Sequence, residues 1–340
     1  MKRSHGIVFL AMLSFAVGSM MASVSYAQDS ITLRYSNWFG ASHELSIIAH
    51  EWCKEVEKRT NGKVKVRYFP GGSLVSAMQT YDSILSGVID VGNVCCTYSK
   101  GKFPQSEGMD LPLGFKSGYW ATRAMNEYYK KFNPKDLNDV KPMHFHGQAP
   151  PILHTTKKPV YKLEDLKGLK VRLGTDPRVA SYLGAVPVVM PMGEAYDALS
   201  KNVVEGIFSG YEPLKGWKLG EVVKYTTECF GMSFGAMFVV AMNKEKWNSI
   251  PVDAQKVIEG INQEWIEKMG KAWNHIDEEG KEYIVQRGNK IIQLSSEENA
   301  RWAERMQPVI DEYLMRAKEK NLPGEEVVKF GRDYFKAHEK

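Results

Sequence analysis

The stretch "KVKVRYFPGGSLVSAMQTYDSILSGVIDVGNVCC", residues 63–96, changes period twice, and that change decides the fold class. Val64, Val66 and Tyr68 alternate with Lys65 and Arg67, the two-residue period of a half-buried strand. Pro70-Gly71-Gly72 breaks it, since proline lacks an amide donor and glycine takes turn conformations. Residues 76–87 then read as a helix, and "VIDVGNVCC" (88–96) as a strand buried on both faces. Strand, helix and strand in that order predict an α/β layer with a largely parallel sheet.

The same rhythm extends upstream. "ITLRYSNWF" (31–39) reads as a strand ending in polar and aromatic residues. "SHELSIIAHEWCKEVEKRTNG" (42–62) reads as a helix with Ser42 as cap, an apolar stripe of Leu45, Ile48, Trp52 and Val56, and Gly62 as stop.

Downstream the pattern repeats after a break. "KPMHFHGQA" (141–149) is strand-like, "PPILHTTKKP" (150–159) reads as a connector, and "LEDLKG" (163–168) as a short helix. The strand "LKVRLG" (169–174), a helix over 177–183, the strand "VPVVMP" (186–191), the helix "MGEAYDALSKNVV" (192–204) and the strand "EGIFSGY" (205–211) complete a second α/β lobe. "AMFVVAMNKEKW" (236–247) reads as a strand pairing back towards the first lobe. From Pro251 the pattern is helical. One long helix carries Ile258, Ile261, Trp265, Met269 and Trp273 on one face. The next is capped by Ser295 or Ser296 and is expected to be kinked or divided at Pro308, and a short helix closes the chain.

The first 27 residues read as an export signal. A basic tip (Lys2, Arg3) precedes the apolar run "GIVFLAMLSFAVGSMMA", and Ser25 and Ala27 suit cleavage after Ala27. Of 340 residues, that cleavage leaves 313, enough for two domains. The division expected is 28–149 with about 237–280 as lobe I, and 150–236 with about 281–340 as lobe II. Lys2 and Arg3 leave with the signal, so 45 basic residues become 43 against 40 acidic, a net charge of +3. The charges alternate in sign, as in "CKEVEKRTNGKVKVR", which argues against a nucleic-acid partner. Four cysteines (Cys53, Cys95, Cys96, Cys229) without a CxxC pair read as buried free thiols rather than a disulfide scaffold or a zinc site.

No motif calls for catalysis. "HELSI" (43–47) lacks the second histidine of a zincin helix, and no GxSxG, Walker A or GxGxxG occurs. His144 and His146 alternate on one strand without an evident third ligand. A binding protein without metal or cofactor is favoured over an enzyme.

Four segments together carry a resemblance: "YFPGGSLVSAMQTYDSILSGVIDVG" (68–92), "KPVYKLEDLKGLKVRLGT" (158–175), "GAVPVVMPMGEAYDALSKNVVEG" (184–206) and "YEPLKGWKLGEVVKYTT" (211–227). In order and spacing the chain resembles the solute-binding receptors of TRAP (tripartite ATP-independent periplasmic) transporters over nearly all of its length after the signal. The resemblance implies a two-lobed α/β periplasmic clamp with mainly parallel sheets, strand crossovers between the lobes and a long C-terminal helical region. It further implies that the receptor closes on an organic anion and hands it to a small and a large membrane subunit for ion-gradient-driven uptake.

Within "GLKVRLGTD" (168–176), alternation alone puts Arg172 with Lys170 on a solvated basic face. The resemblance instead matches Arg172 to the family's carboxylate-binding arginine, whose planar fork offers two parallel donors. Asn37 and Trp38 after the first strand, Tyr98 after the third, Gln148, and Met192, Ser209, Tyr211 and Glu212 at strand ends of the second lobe are the other candidate ligand contacts. Trp38 and Tyr98 also suit lobe core, Met192 a filler, and Glu212 a helix cap. Many family members that bind sialic acid or dicarboxylates carry a second arginine where this chain has Pro151. That departure favours a compact monoanion, a hydroxy or keto monocarboxylate, with a small sulfonate as the alternative. The competing roles are the receptor of an ATP-driven system and an exported enzyme.

Overall fold

The computed structural model describes residues 30–174 and 176–339, so the export signal lies outside the described residues. The first sheet contains β1 (Ile31–Ser36), β2 (Val64–Phe69), β3 (Val91–Cys95) and β4 (Val140–Gly147). The second contains β5 (Ile152–Thr155), β6 (Lys170–Leu173), β7 (Val186–Val189), β8 (Gly206–Ser209), β9 (Tyr225–Glu228) and β11 (Lys290–Gln293), while β10 (Met237–Asn243) returns to the first. Strand orders are β2-β1-β3-β10-β4 and β11-β9-β5-β8-β6-β7. Both sheets are mixed. β1 runs parallel to β2 and β3, β6 to β7 and β8, and β9 to β11. The two crossover strands, β5 and β10, are antiparallel to both of their neighbours. Each sheet with its helices forms one lobe.

The helices are α1 (Glu44–Arg59), α2 (Thr80–Leu85), α3 (Gly118–Phe132), α4 (Pro177–Tyr182), α5 (Ala195–Ser200), α6 (Glu212–Gly216), α7 (Lys244–Asn248), α8 (Val252–Gln286), α9 (Ser296–Glu319) and α10 (Gly324–His338). The stripe on α8 is buried throughout, and the helix packs on α1, α3 and β4 of the first lobe and on α6 of the second. One rigid helix thus touches both lobes. The four cysteines are free and buried, and burial pushes the Cys95 and Cys229 thiols up to about 12.

The structure departs from sequence expectation in five places, one being that the strand expected over 236–247 ends at Asn243, which caps α7 with its side chain accepting from the Lys246 amide. The cap of α1 is His43, not Ser42: its extended backbone turns the ring back so that Nδ1 accepts from the Leu45 amide at 3.3 Å. "PPILHTTKKP" is not a connector, because it contains β5, a central strand whose four residues are all buried. His154 is accommodated there by Thr226 Oγ1 at 2.9 Å and the Gly210 carbonyl at 3.0 Å. The helix α3 and the four-residue strands β9 and β11 fall where no element was expected. Finally, α9 runs on through Pro308, which does not divide it. The lost bond would go to the exposed Glu304, whose carbonyl water can satisfy.

Candidate functional site

Between the lobes lies a cavity of about 590 Å³. Its floor is aromatic, and the rings come from separate stretches. Trp38 follows β1, Trp217 ends α6, Phe238 opens β10 and Trp273 belongs to α8. Trp38 and Trp217 are stacked 6.0 Å apart across the lobes, and Phe238 stacks on Trp273 at 5.6 Å. Both indole donors of the first lobe's wall are already bonded: Trp38 Nε1 to the Asn93 carbonyl and Trp273 Nε1 to His146 Nδ1, each at 3.0 Å. The faces are therefore left to pack against an apolar body.

Arg172 is the fixed cation beside this floor. It sits on the buried end of β6, where Val171 and Leu173 point into the lobe core and Lys170 stays exposed. Only 3% of its surface is accessible, yet it faces no carboxylate among the described residues. Nε donates to the Met190 carbonyl at 3.0 Å and Nη2 to the Tyr98 hydroxyl at 3.3 Å. These bonds hold the plane of the guanidinium, and Nη1 has no protein partner among the described residues. A buried guanidinium without a protein anion is poised for one from outside. Tyr98 OH also accepts from the Met192 amide at 3.1 Å, so its own proton is left for a third partner. Burial raises the Tyr98 phenol above its ordinary value and keeps that proton in place.

His43 and Glu212 make a second bridge between lobes, Nε2 to Oε1 at 2.6 Å, with both side chains buried. Since Nδ1 accepts from Leu45, the imidazole carries its proton on Nε2 and donates it to the carboxylate. Glu212 itself is held by α8: Asp277 Oδ1 accepts from the amides of Tyr211 and Glu212 at 2.7 and 3.0 Å. Burial lifts the Asp277 carboxyl to about 6. At the mouth Arg178 and Arg316 are paired with Glu107, Asp176 and Glu312, while the exposed Lys100 and Lys320 have no carboxylate partner among the described residues and favour an approaching anion.

Of the candidates named from sequence, Arg172, Trp38, Tyr98, Gln148, Met192, Ser209 and Glu212 line this one cavity. Asn37 and Tyr211 do not. The Asn37 amide donates to Tyr68 OH at 3.0 Å while its oxygen accepts from the Phe39 amide at 3.1 Å, so it braces the loop that carries Trp38. Tyr211 turns into the second lobe, where its hydroxyl donates to Glu228 at 2.6 Å. Glu228 is also held by Lys281 at 2.7 Å, a pairing that leaves Tyr211 no freedom to reach the cleft. Trp217, Phe238 and Trp273 were missed, as were Asp110 and the mouth cations. Only Trp217 left a signal, an aromatic residue inside "YEPLKGWKLG". Pro151 does line the cavity, at the position matched to the second arginine. His144 and His146 form no metal site, for His146 is spent on Asn93 at 2.9 Å and on Trp273.

Two α/β lobes joined by crossover strands around a cavity with one buried, anion-free arginine define a ligand-binding clamp. The chain belongs to the bacterial extracellular solute-binding protein family 7, whose sequence profile matches residues 36–316. It is 27% identical to the C4-dicarboxylate-binding periplasmic protein DctP of Vibrio cholerae, over 89% of this chain and 92% of that one. Among solved structures it resembles a TRAP periplasmic solute-binding protein of Desulfovibrio salexigens, with 32% identity, a TM-score of 0.80, and coverage of 91% and 97%. A marine-metagenome TRAP solute-binding protein specific for aromatic acid ligands, co-crystallised with 3-hydroxybenzoate, shows 26% identity, a TM-score of 0.86, and coverage of 92% and 99%. The protein is thus a solute receptor of the TRAP type and not an enzyme. The family is periplasmic, and no helix among the described residues is long and apolar enough to cross a membrane.

Proposed function

We propose that the protein is exported by cleavage after Ala27, binds a small aromatic monocarboxylate between its lobes, and delivers it to the membrane subunits of a TRAP transporter. Lobe I is residues 28–149 with about 237–280, and lobe II is 150–236 with about 281–340. Arg172 pairs with the carboxylate, Tyr98 adds its free O–H, and the ring lies between Trp38, Trp217, Phe238 and Trp273. Gln148, Met192 and Ser209 complete the wall. The observation that carries the reading is a buried guanidinium, the single one among the described residues, beside an aromatic chamber of about 590 Å³. A hydroxy or keto monocarboxylate remains the head group expected, and the aromatic floor adds a body to it. The binding of 3-hydroxybenzoate by a relative supports the same class.

A thermal-shift screen tests it, with benzoate, 3-hydroxybenzoate, aliphatic hydroxy and keto acids, and a matched sulfonate for each. Saturation at about 100 times Kd stabilises the protein by about 2.7 kcal/mol. Aromatic carboxylates should give the largest shifts. A larger shift with sulfonates would reassign the head group, and none with any anion would end the assignment. Trp217→Ala should weaken aromatic acids about tenfold and short aliphatic acids far less, consistent with the loss of a stacked ring. Equal losses for both would remove Trp217 from the binding wall.

A further inference from the structure

Asp110 lines the same cavity as Arg172, although an acid in a chamber for an anion is unfavourable if charged. It follows the short turn Ser106–Met109 and fastens the chain where it re-enters the first sheet. Oδ1 accepts from the Met237 amide at 2.6 Å, and the Asp110 carbonyl accepts from the Gly235 amide at 2.7 Å. These contacts use one carboxyl oxygen. The other, Oδ2, has no protein donor among the described residues, and part of the residue's surface is open to the cavity.

The neighbouring titratable groups do not neutralise it. Glu107 stands three residues back and is already paired with Arg178 and Arg316. The Cys95 and Cys96 thiols at the end of β3 are kept protonated by burial. Arg172 is bonded to the Met190 carbonyl and Tyr98 and makes no ion pair with Asp110, Tyr98 is also engaged by the Met192 amide, and Tyr313 of α9 donates to the Gln105 carbonyl. The segment Phe234–Gly235–Ala236 beside Asp110 carries no titratable side chain.

We propose that Asp110 is a specificity-determining residue of the cavity, whose free oxygen, as a protonated carboxyl, donates to a neutral hydroxyl or carbonyl group on the ligand. It rests on the aromatic-acid reading above and deepens it: the ligand is an aromatic monocarboxylate bearing a hydroxyl or carbonyl substituent. Burial, reinforced by the Glu107 charge and opposed by the Met237 amide, pushes the Asp110 carboxyl up to about 8. At neutral pH the acid is therefore uncharged and tolerates the anion. Above that value it ionises and repels the anion.

Calorimetry with benzoate and 3-hydroxybenzoate as probes, at pH 7 and pH 9, separates the possibilities. Wild type should prefer 3-hydroxybenzoate about fivefold at pH 7, the worth of one added hydrogen bond. Both affinities should fall about tenfold by pH 9, as a site that must be protonated empties of its proton. Asp110→Asn keeps an acceptor for Met237 and offers an amide donor that never ionises, so its preference should persist while its pH dependence disappears. Asp110→Leu should lose both. The proposal is overturned if wild type binds the two probes alike at both pH values, or if Asp110→Asn keeps the wild-type pH dependence. If neither probe binds wild type at pH 7, the aromatic-acid reading falls and takes this one with it.

Discussion

Arg172→Ala is expected to abolish ligand binding while the empty protein stays folded. The guanidinium's protein partners are the Met190 carbonyl and the Tyr98 hydroxyl, and water in the cavity can satisfy both once the side chain is gone. No protein carboxylate among the described residues is left unpaired, so the severe penalty of an orphaned buried charge does not arise. The cost to the empty receptor is about 1 kcal/mol, that of ordinary hydrogen bonds. The bound state loses much more. Two charge-assisted bonds of about 1.5–3 kcal/mol each disappear, which is more than a hundredfold in Kd. Arg172→Lys keeps the charge but loses the planar fork and should cost about 1–3 kcal/mol. Calorimetry on both variants, with melting curves in the absence of ligand, checks each half. Wild-type affinity in Arg172→Ala would refute the pairing.

Local patterns made the lobes legible and hid the depth of the site. Val64–Phe69 and Val91–Cys95 announce themselves by alternation and by a short run rich in small and apolar residues, and α8 by its buried stripe. Local signals failed where tertiary context supplies the stability. β5 looks like a linker because prolines precede it and His154 interrupts its apolar residues, yet bonds from β8 and β9 make it a strand. Arg172 could be picked out only through family resemblance, since alternation describes Lys170 equally well. Trp273 shares its stripe with Trp265 and Ile276, and nothing in helical period says that one of these rings borders a cavity. Asp110 and Phe238 join the site only because the chain crosses between lobes twice. For Tyr211 the strand end was right and the rotation of the side chain was not: Glu228 and Lys281, distant in sequence, draw the ring inward.

Gly280→Ala is expected to destabilise the protein by about 2–4 kcal/mol, against the usual benefit of alanine in a helix. Glycine inside α8 costs about 1 kcal/mol in helix propensity, so the substitution would stabilise the protein if the site were open. It is not open. A β-carbon on Gly280 would press on the Tyr211 carbonyl and approach the Glu212 amide nitrogen at 3.1 Å. These are backbone atoms, unable to swing aside, and α6 must move away from α8. That movement also strains the bonds from Asp277 to the two amides at the start of α6. Overpacking of about 1–3 kcal/mol, together with weakened bonds to a carboxylate, exceeds the propensity gain. Because α6 carries Glu212 and ends at Trp217, ligand affinity should fall along with stability. Gly260 supplies the internal control. It lies in the same helix, and a β-carbon added there would meet nothing within 4 Å, so Gly260→Ala should stabilise by about 0.5–1 kcal/mol. Chemical denaturation of the two variants should move the midpoint in opposite directions. A shift in the same direction for both would mean that close backbone contact at Gly280 is not what docks α8 on the second lobe.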